Sequence, residues 1–309
     1  MDKNIFEKLK NFALIQVGGK LLIKGVRMIE QLAGSNFSSK FTEDKIEFIK
    51  SCNEKNQKNT NPPLEIIQKD QIDPDSFDWD HRQFEPLKLF PGEGDKEREI
   101  TISYLHKGNK SNDKSLIIIP GFSDNSFSWT IGRINQFFDK LNEKYTDIYI
   151  FDNSSIGKIP NELEKENSVP QPSTYEEIVK VYLNLFEQIG FQKTIDVLGR
   201  SAGGGVAMML SLNQPIINEL YLASAGFDFN YMKDKIKDSI KRKVIISHSI
   251  NDMKIKMEDS DGCFNLYALY YSAGFSPELV IVRTSSSEDG KEGWLNHRIH
   301  QELIFKIVE

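Results

Sequence analysis

Past Glu97 the apolar positions fall into short continuous runs, separated by longer stretches of helical spacing. Ile100–His106 alternates apolar and polar residues, the pattern of a half-buried strand. Leu116–Ile119 and Ile148–Phe151 are unbroken apolar runs, the first ending at Pro120-Gly121 and the second at Asp152. Glu176–Ile189 carries Ile178, Val181, Tyr182, Leu185, Phe186 and Ile189 at helical spacing and stops at Gly190, a favoured residue after a helix end. Thr194–Leu198 predicts a strand and Gly205–Leu212 a helix. Leu220–Ala223, Val244–Ser247 and Leu279–Val282 predict three more buried strands, and Ile299–Val308 a closing helix. Continuous apolar strands alternating with helices indicate a parallel sheet covered on both faces. Residues 95–309 are therefore expected to form a three-layer α/β/α sandwich around a mostly parallel sheet.

Residues 1–94 show no such rhythm and are expected to form a mainly helical extension. Ile5, Phe6, Leu9, Phe12, Ala13 and Ile15 roughly follow one helical face, with Lys3, Lys8 and Lys10 between them. Gly18-Gly19 breaks this helix, Leu21–Leu32 reads as a second, and Thr42–Ser51 as a third with Thr42 as its N-cap. Asn53–Pro63 is polar and turn-rich, as an exposed loop is. An amphipathic segment within residues 1–32 can rest on a membrane surface or pack on the main domain. The uneven apolar face and mixed charges favour packing.

Composition narrows the classes. The chain has 309 residues, 39% hydrophobic, with a formal net charge of -6. That apolar share supports a real core, and the negative balance argues against a nucleic-acid partner. Only Cys52 and Cys263 occur, too few for a disulfide framework or a Cys-rich zinc site, which fits a reducing, cytoplasmic setting. No run is long and apolar enough for a transmembrane helix, and Phe12–Val17 lacks the features of a secretory signal.

Parallel sheets place their chemistry at the carboxyl ends of their strands. The strand Thr194–Leu198 leads into Gly199-Arg200-Ser201-Ala202-Gly203-Gly204, a match to G-x-S-x-G between strand and helix. A serine on so sharp a turn leaves little room for side chains two residues either side, and its Oγ projects above the sheet as a nucleophile. The strand Val244–Ser247 runs into His248-Ser249-Ile250-Asn251-Asp252. Asp252 is placed to orient an active-site histidine, although an aspartate there can also serve only an Asx-turn. The chain order Ser…Asp…His then calls for a histidine after the last strand. His297 and His300 both qualify. His297 is preferred because a loop or first-turn position can lean over the serine, with His300 as the alternative base. The oxyanion hole needs two backbone N–H donors, assigned to Ala202 after the nucleophile and Phe122 after Gly121. His248 reads as structural, and His81 and His106 as surface residues. No H-E-x-x-H, CxxC pair or post-strand GxGxxG is present, so no metal or organic cofactor is expected.

These motifs together resemble the α/β-hydrolase superfamily, over about Glu97 to the C-terminus. Ile118–Asp124 through Trp129 looks like the family's oxyanion strand, with Pro120 in place of the usual histidine. Phe151-Asp152 with Gly157 resembles its "Asp…Gly" loop, and Thr174–Glu177 the start of the helix before the elbow. Gly199–Gly204 is similar to its Gly-His-Ser-Met-Gly-Gly elbow, and His248–Asp252 to its acid loop, with Ser249 for glycine. Arg200 stands where the elbow histidine is usual. Its permanent charge can attract an anionic substrate group or pair with a carboxylate in the sheet, and pairing is favoured because uncompensated charge there is costly. Glu292–His297 fits the family's histidine segment loosely.

The resemblance implies a serine hydrolase of esterase or lipase type. It would cleave a carboxylic ester, or a related thioester or amide, in a small acyl substrate through an acyl-enzyme on Ser201. A peptidase or acyltransferase can run on the same triad, and a catalytically degenerate scaffold with a binding role is the non-enzymatic alternative. Only Gly226–Lys243 lies where many members insert a lid, so no large cap is expected.

Overall fold

A computed structural model describes residues 79–83, 87–89, 98–100, 103–121, 130, 133–151, 175–249, 252, 254–255, 262–282 and 297–309. The helices expected within residues 1–51, the loop 53–63, Phe122, Trp129, Asp152, Gly157, Thr174 and the segment 292–296 lie outside the described residues.

The strands in chain order are β1 (Asp80–Gln83), β2 (Leu87–Leu89), β3 (Arg98–Ile100), β4 (Ser103–Gly108), β5 (Ser115–Ile119), β6 (Asp147–Phe151), β7 (Ile195–Arg200), β8 (Ile217–Ala223), β9 (Lys243–Ser249) and β10 (Glu278–Val282). The described helices are α1 (Phe138–Asn142), α2 (Tyr175–Ile189), α3 (Ala202–Asn213), α4 (Phe229–Lys235), α5 (Cys263–Ser272) and α6 (Gln301–Val308). Eight strands form one sheet in the order β1-β4-β6-β5-β7-β8-β9-β10, while β2 and β3 pair apart from it. β1 and β6 each run antiparallel to β4, and every pairing from β6 to β10 is parallel.

The unbroken apolar runs have a direct cause. Ile117 and Ile119 of β5 join one buried cluster with helices α2, α3 and α5, whereas Leu116 and Ile118 join a second with α6 and the segment around Ile134 and Leu141. Successive side chains on a strand point to opposite faces. Both faces are covered, so both sets must be apolar. This is the expected three-layer arrangement.

The structure departs from the sequence reading in definable places. The run Ile100–His106 is not one strand: Ile100 closes β3, paired with β2, and β4 starts at Ser103 in the main sheet. β1 pairs with β4, so the main sheet reaches back into residues 80–83, ahead of the boundary drawn at residue 95. Its sequence, Asp-His-Arg-Gln, has no apolar alternation to reveal it. Helix α3 begins at Ala202, not Gly205, because Gly203, Gly204 and Gly205 are buried against neighbouring backbone rather than left to unwind. Helix α5 is buried nearly all round, from Asn265 through Tyr271 as well as at Cys263, so no polar stripe marks its period. Between β8 and β9 stand only α4 and one short 3-10 turn, Ile236–Asp238, which leaves no room for a large cap there.

Candidate active site

β7 carries the elbow to the carboxyl end of the sheet. Ser201 adopts φ 55° and ψ -130°, a left-handed conformation that non-glycine residues rarely take. Its backbone is fixed from both sides: its N–H donates to Ala223 O at 3.1 Å, and its carbonyl accepts from Gly204 N and Gly226 N, each at 2.8 Å. Ser201 holds the N-cap position of α3, yet its side chain makes no capping bond. The hydroxyl is therefore not used by the helix. A Cβ on Gly199 would stand 2.6 Å from Gly203 O, and one on Gly203 would stand 2.2 Å from both Ile119 O and Pro120 O. The two flanking glycines are demanded by this close approach. The second contact also seats the elbow against the end of β5, the strand that leads to the expected oxyanion loop. Ala202 is the first residue of α3, where backbone N–H groups have no partner within the helix.

Asp252 follows β9 and is 4% exposed. Its two carboxylate oxygens divide the work. Oδ1 accepts from the backbone N–H groups of Lys254 and Ile255, at 2.9 and 3.1 Å, closing an Asx-type turn. Oδ2 lies 2.8 Å from Nδ1 of His297. The turn role and the histidine-orienting role, alternatives in the sequence, are both filled by one side chain. Burial raises the Asp252 pKa, but the His297 hydrogen bond, the charges of His297 and His248, and the Ile255 N–H outweigh it and hold the carboxyl near 2. With Nδ1 directed at the carboxylate, the His297 ring keeps Nε2 for another partner.

The other histidines fall elsewhere. His300 is the N-cap of α6, where its carbonyl accepts from Leu303 N and Ile304 N. No bond joins it to Asp252. His248 is buried, with Nε2 2.8 Å from Ile255 O and 3.8 Å from Asp252 Oδ2, so it braces the acid loop. His106 is not a surface residue: it is 3% exposed and bonds Asp147 Oδ1 at 2.8 Å. Its strand alternation points it inward, and the buried carboxylate satisfies its ring.

Two arginines hold the histidine segment, Arg200 of the elbow and Arg133, which no motif in the sequence singled out. Nη2 of Arg200 donates to the main-chain carbonyl of His297 at 2.6 Å, and Nε of Arg133 donates to that of Ile299 at 2.9 Å. Desolvation lowers the Arg200 pKa to about 10, opposed by the Asp252 carboxylate. Desolvation likewise lowers Arg133 to about 9, aided by Arg298 and opposed by Glu302. Arg200 was expected to choose between a substrate anion and a sheet carboxylate. It reaches a main-chain carbonyl, and a carboxylate supports it through its field. No sequence pattern signals such a bond, since the acceptor is backbone.

Among the described residues there is no group of three or more His, Cys, Asp or Glu side chains able to hold a metal ion, and no helix is long and apolar enough to cross a membrane.

No family model matches the chain, and no curated protein does. Among solved structures it is similar to a predicted CIB-like hydrolase from Thermoplasma acidophilum, at 16% identity and TM-score 0.48, over 72% of this chain and 96% of that one. It is similar to an esterase from Pyrococcus furiosus at 15% identity and TM-score 0.48, over 80% of this chain and 96% of that one. Acetyl xylan esterase 1 from Thermoanaerobacterium aligns at 12% identity and TM-score 0.41, over 92% of this chain and 98% of that one. It is the strand order, with β5 between β6 and β7, the two buried faces and the serine elbow closing β7 that give this chain the α/β-hydrolase fold.

Proposed function

We propose that the protein is a serine hydrolase that cleaves a carboxylic ester, or a related thioester or amide, in a small acyl substrate. One observation carries the reading: Arg200, next in the chain to the strained Ser201, bonds the main chain of His297, whose ring is bonded to Asp252. The elbow and the His–Asp pair are thereby joined at one end of the sheet.

In this mechanism His297 Nε2 takes the Ser201 Oγ proton as Oγ attacks the acyl carbon. The new C–O bond pushes the carbonyl electrons onto oxygen, and the N–H groups of Ala202 and Phe122 receive that oxyanion. The imidazolium returns its proton to the leaving alcohol, thiol or amine, leaving an acyl-enzyme. A water, deprotonated by the same Nε2, attacks the acyl carbon and releases the acid and free Ser201. Asp252 remains ionised throughout, because its carboxyl is held near 2. It fixes the ring and stabilises the transient imidazolium.

A fluorophosphonate probe tests the nucleophile. Wild type is expected to label and Ser201→Ala to stay unlabelled. Labelling that persists in the variant would place the nucleophile elsewhere, and no labelling of folded wild type would favour a binding scaffold. A short-chain p-nitrophenyl ester assay tests the base. His297→Ala is expected to lose activity by about 1,000-fold or more, while His300→Ala retains turnover. The reverse order would assign the base to His300.

A further inference from the structure

The segment His297–His300 enters α6 with its carbonyls held by arginines from two different parts of the fold. Arg200 comes from the last position of β7, directly before Ser201, and reaches His297 O at 2.6 Å. Arg133 comes from the helical stretch 133–136 and reaches Ile299 O at 2.9 Å. The hydrogen bond from His297 Nδ1 to Asp252 fixes the imidazole, but it does not fix the main chain that carries it. A ring pivoting on a loose main chain can keep its carboxylate bond and still miss the serine by an ångström. A 1 Å misplacement of a reacting group costs on the order of 100-fold in rate.

The guanidinium suits this task. It is planar, with several N–H donors in a fixed fork, and it sits on β7, one of the most deeply paired strands of the sheet. It is also adjacent in sequence to the nucleophile. A bond from this residue to the histidine main chain sets the serine and histidine positions against a common reference. A histidine at this elbow position would have a shorter reach and a single N–H to offer toward that carbonyl.

We infer that Arg200 is a positioning residue that registers His297 against Ser201 by holding the His297 main-chain carbonyl, and that it is not a binding group for a substrate anion. The inference rests on the serine-hydrolase reading above. Because Arg200 acts through the histidine, its removal lowers kcat rather than raising KM, and its effect vanishes once the imidazole is gone.

The test is a double-mutant cycle in the full chain between Arg200→Gln and His297→Ala, read with a neutral p-nitrophenyl ester. Arg200→Gln is expected to lower kcat by about 100-fold, with KM within about twofold. Arg200→Lys, which keeps a charged donor, is expected to recover part of the loss. In the His297→Ala background, Arg200→Gln is expected to cost nothing further. The downfield N–H proton of the His297–Asp252 bond supplies a second readout that needs no turnover. It is expected to broaden or shift in Arg200→Gln and to persist in Arg200→Lys. Thermal melts of each variant separate misfolding from misregistration.

A wild-type kcat in Arg200→Gln overturns the inference, as does a loss confined to KM or an equal loss in the His297→Ala background. Those outcomes leave His297→Ala inactive. An active His297→Ala is a different result, which moves the base away from His297, and failure of folded wild type to label with the fluorophosphonate is the one that overturns the serine-hydrolase reading itself. If Arg200→Gln fails to fold, the Arg200→Lys variant decides alone: a kcat below wild type with KM within about twofold supports positioning, and a wild-type kcat or an increase in KM alone overturns it.

Discussion

At the scale of single residues, Ser201 shows a conflict between stability and chemistry. Its φ of 55° is one that glycine takes at little cost and serine does not. Such strain is worth on the order of 1–3 kcal/mol and survives only where the surroundings enforce it. Here the bonds to Ala223, Gly204 and Gly226 supply the enforcement. Ser201→Gly is therefore expected to raise stability by about 1 kcal/mol over Ser201→Ala, which keeps a Cβ and the strain. Both lack the nucleophile, so activity does not separate them. Urea unfolding midpoints of the two variants check it, and an equal or lower midpoint for Ser201→Gly would contradict the strain argument.

At the scale of elements, the packing between β5 and α3 positions the nucleophile. Gly203, in the first turn of α3, lies where a methyl group would meet Ile119 O and Pro120 O at 2.2 Å. Both atoms are backbone at the end of a central strand and cannot swing aside. Gly203→Ala is expected to cost about 3 kcal/mol and to slow fluorophosphonate labelling, because α3 must back away and carry Ser201 with it. Thermal unfolding and labelling rate are expected to fall together. A stable, fast-labelling Gly203→Ala would show that the approach can relax. The same element shows what was readable beforehand. Gly199 and Gly203 betrayed the elbow because steric demand at a turn selects glycine, and β5, β7, β8, β9 and β10 were legible because burial on both faces demands unbroken apolar runs. The start of α3 was not legible, since three successive glycines read as a poor helix and only their burial against residues 119–120 and 225–226 overrides that preference. β1 was hidden because an edge strand of polar residues pairs with β4 through its backbone and has no apolar alternation in its sequence. The bonds of Arg200 and Arg133 were hidden because their acceptors are carbonyls, which every residue has.

At the scale of the whole molecule, the two ends of the sheet carry separate polar clusters. The carboxyl ends of β7 and β9 hold Ser201 and Asp252. Toward the amino ends of β7 and β8, Lys144 stands part-buried among acids. Its Nζ donates to Glu219 Oε2 at 2.9 Å, to Tyr221 OH at 3.0 Å and to Ile307 O at 2.7 Å, and lies 3.8 Å from Asp196 Oδ2. Tyr145 OH donates to the same Asp196 oxygen at 2.8 Å. One ammonium thus links β7, β8 and the last turn of α6. Burial raises the Asp196 pKa, and bonds from Tyr145 and Asn218 and the charge of Lys144 oppose that rise. Removing the ammonium leaves two partly buried carboxylates facing each other, with Lys243 at 4.0 Å from Glu219 as a more exposed remaining cation. Breaking a buried pair by deleting one partner costs about 3–5 kcal/mol, and the partial exposure of Lys144 and Glu219, with the residual cation, argues for the lower end. Lys144→Met keeps an unbranched apolar stem, one atom shorter, and removes the charge and its donors. It is expected to lose about 3 kcal/mol in urea unfolding, with the fluorophosphonate labelling rate of the folded protein unchanged within about twofold. The parallel strands separate the two clusters along their length, so a cost at one end need not reach the nucleophile at the other. A labelling rate that fell in step with stability would show instead that α6, which begins just after His297 and ends on Lys144, transmits the loss from one end of the sheet to the other.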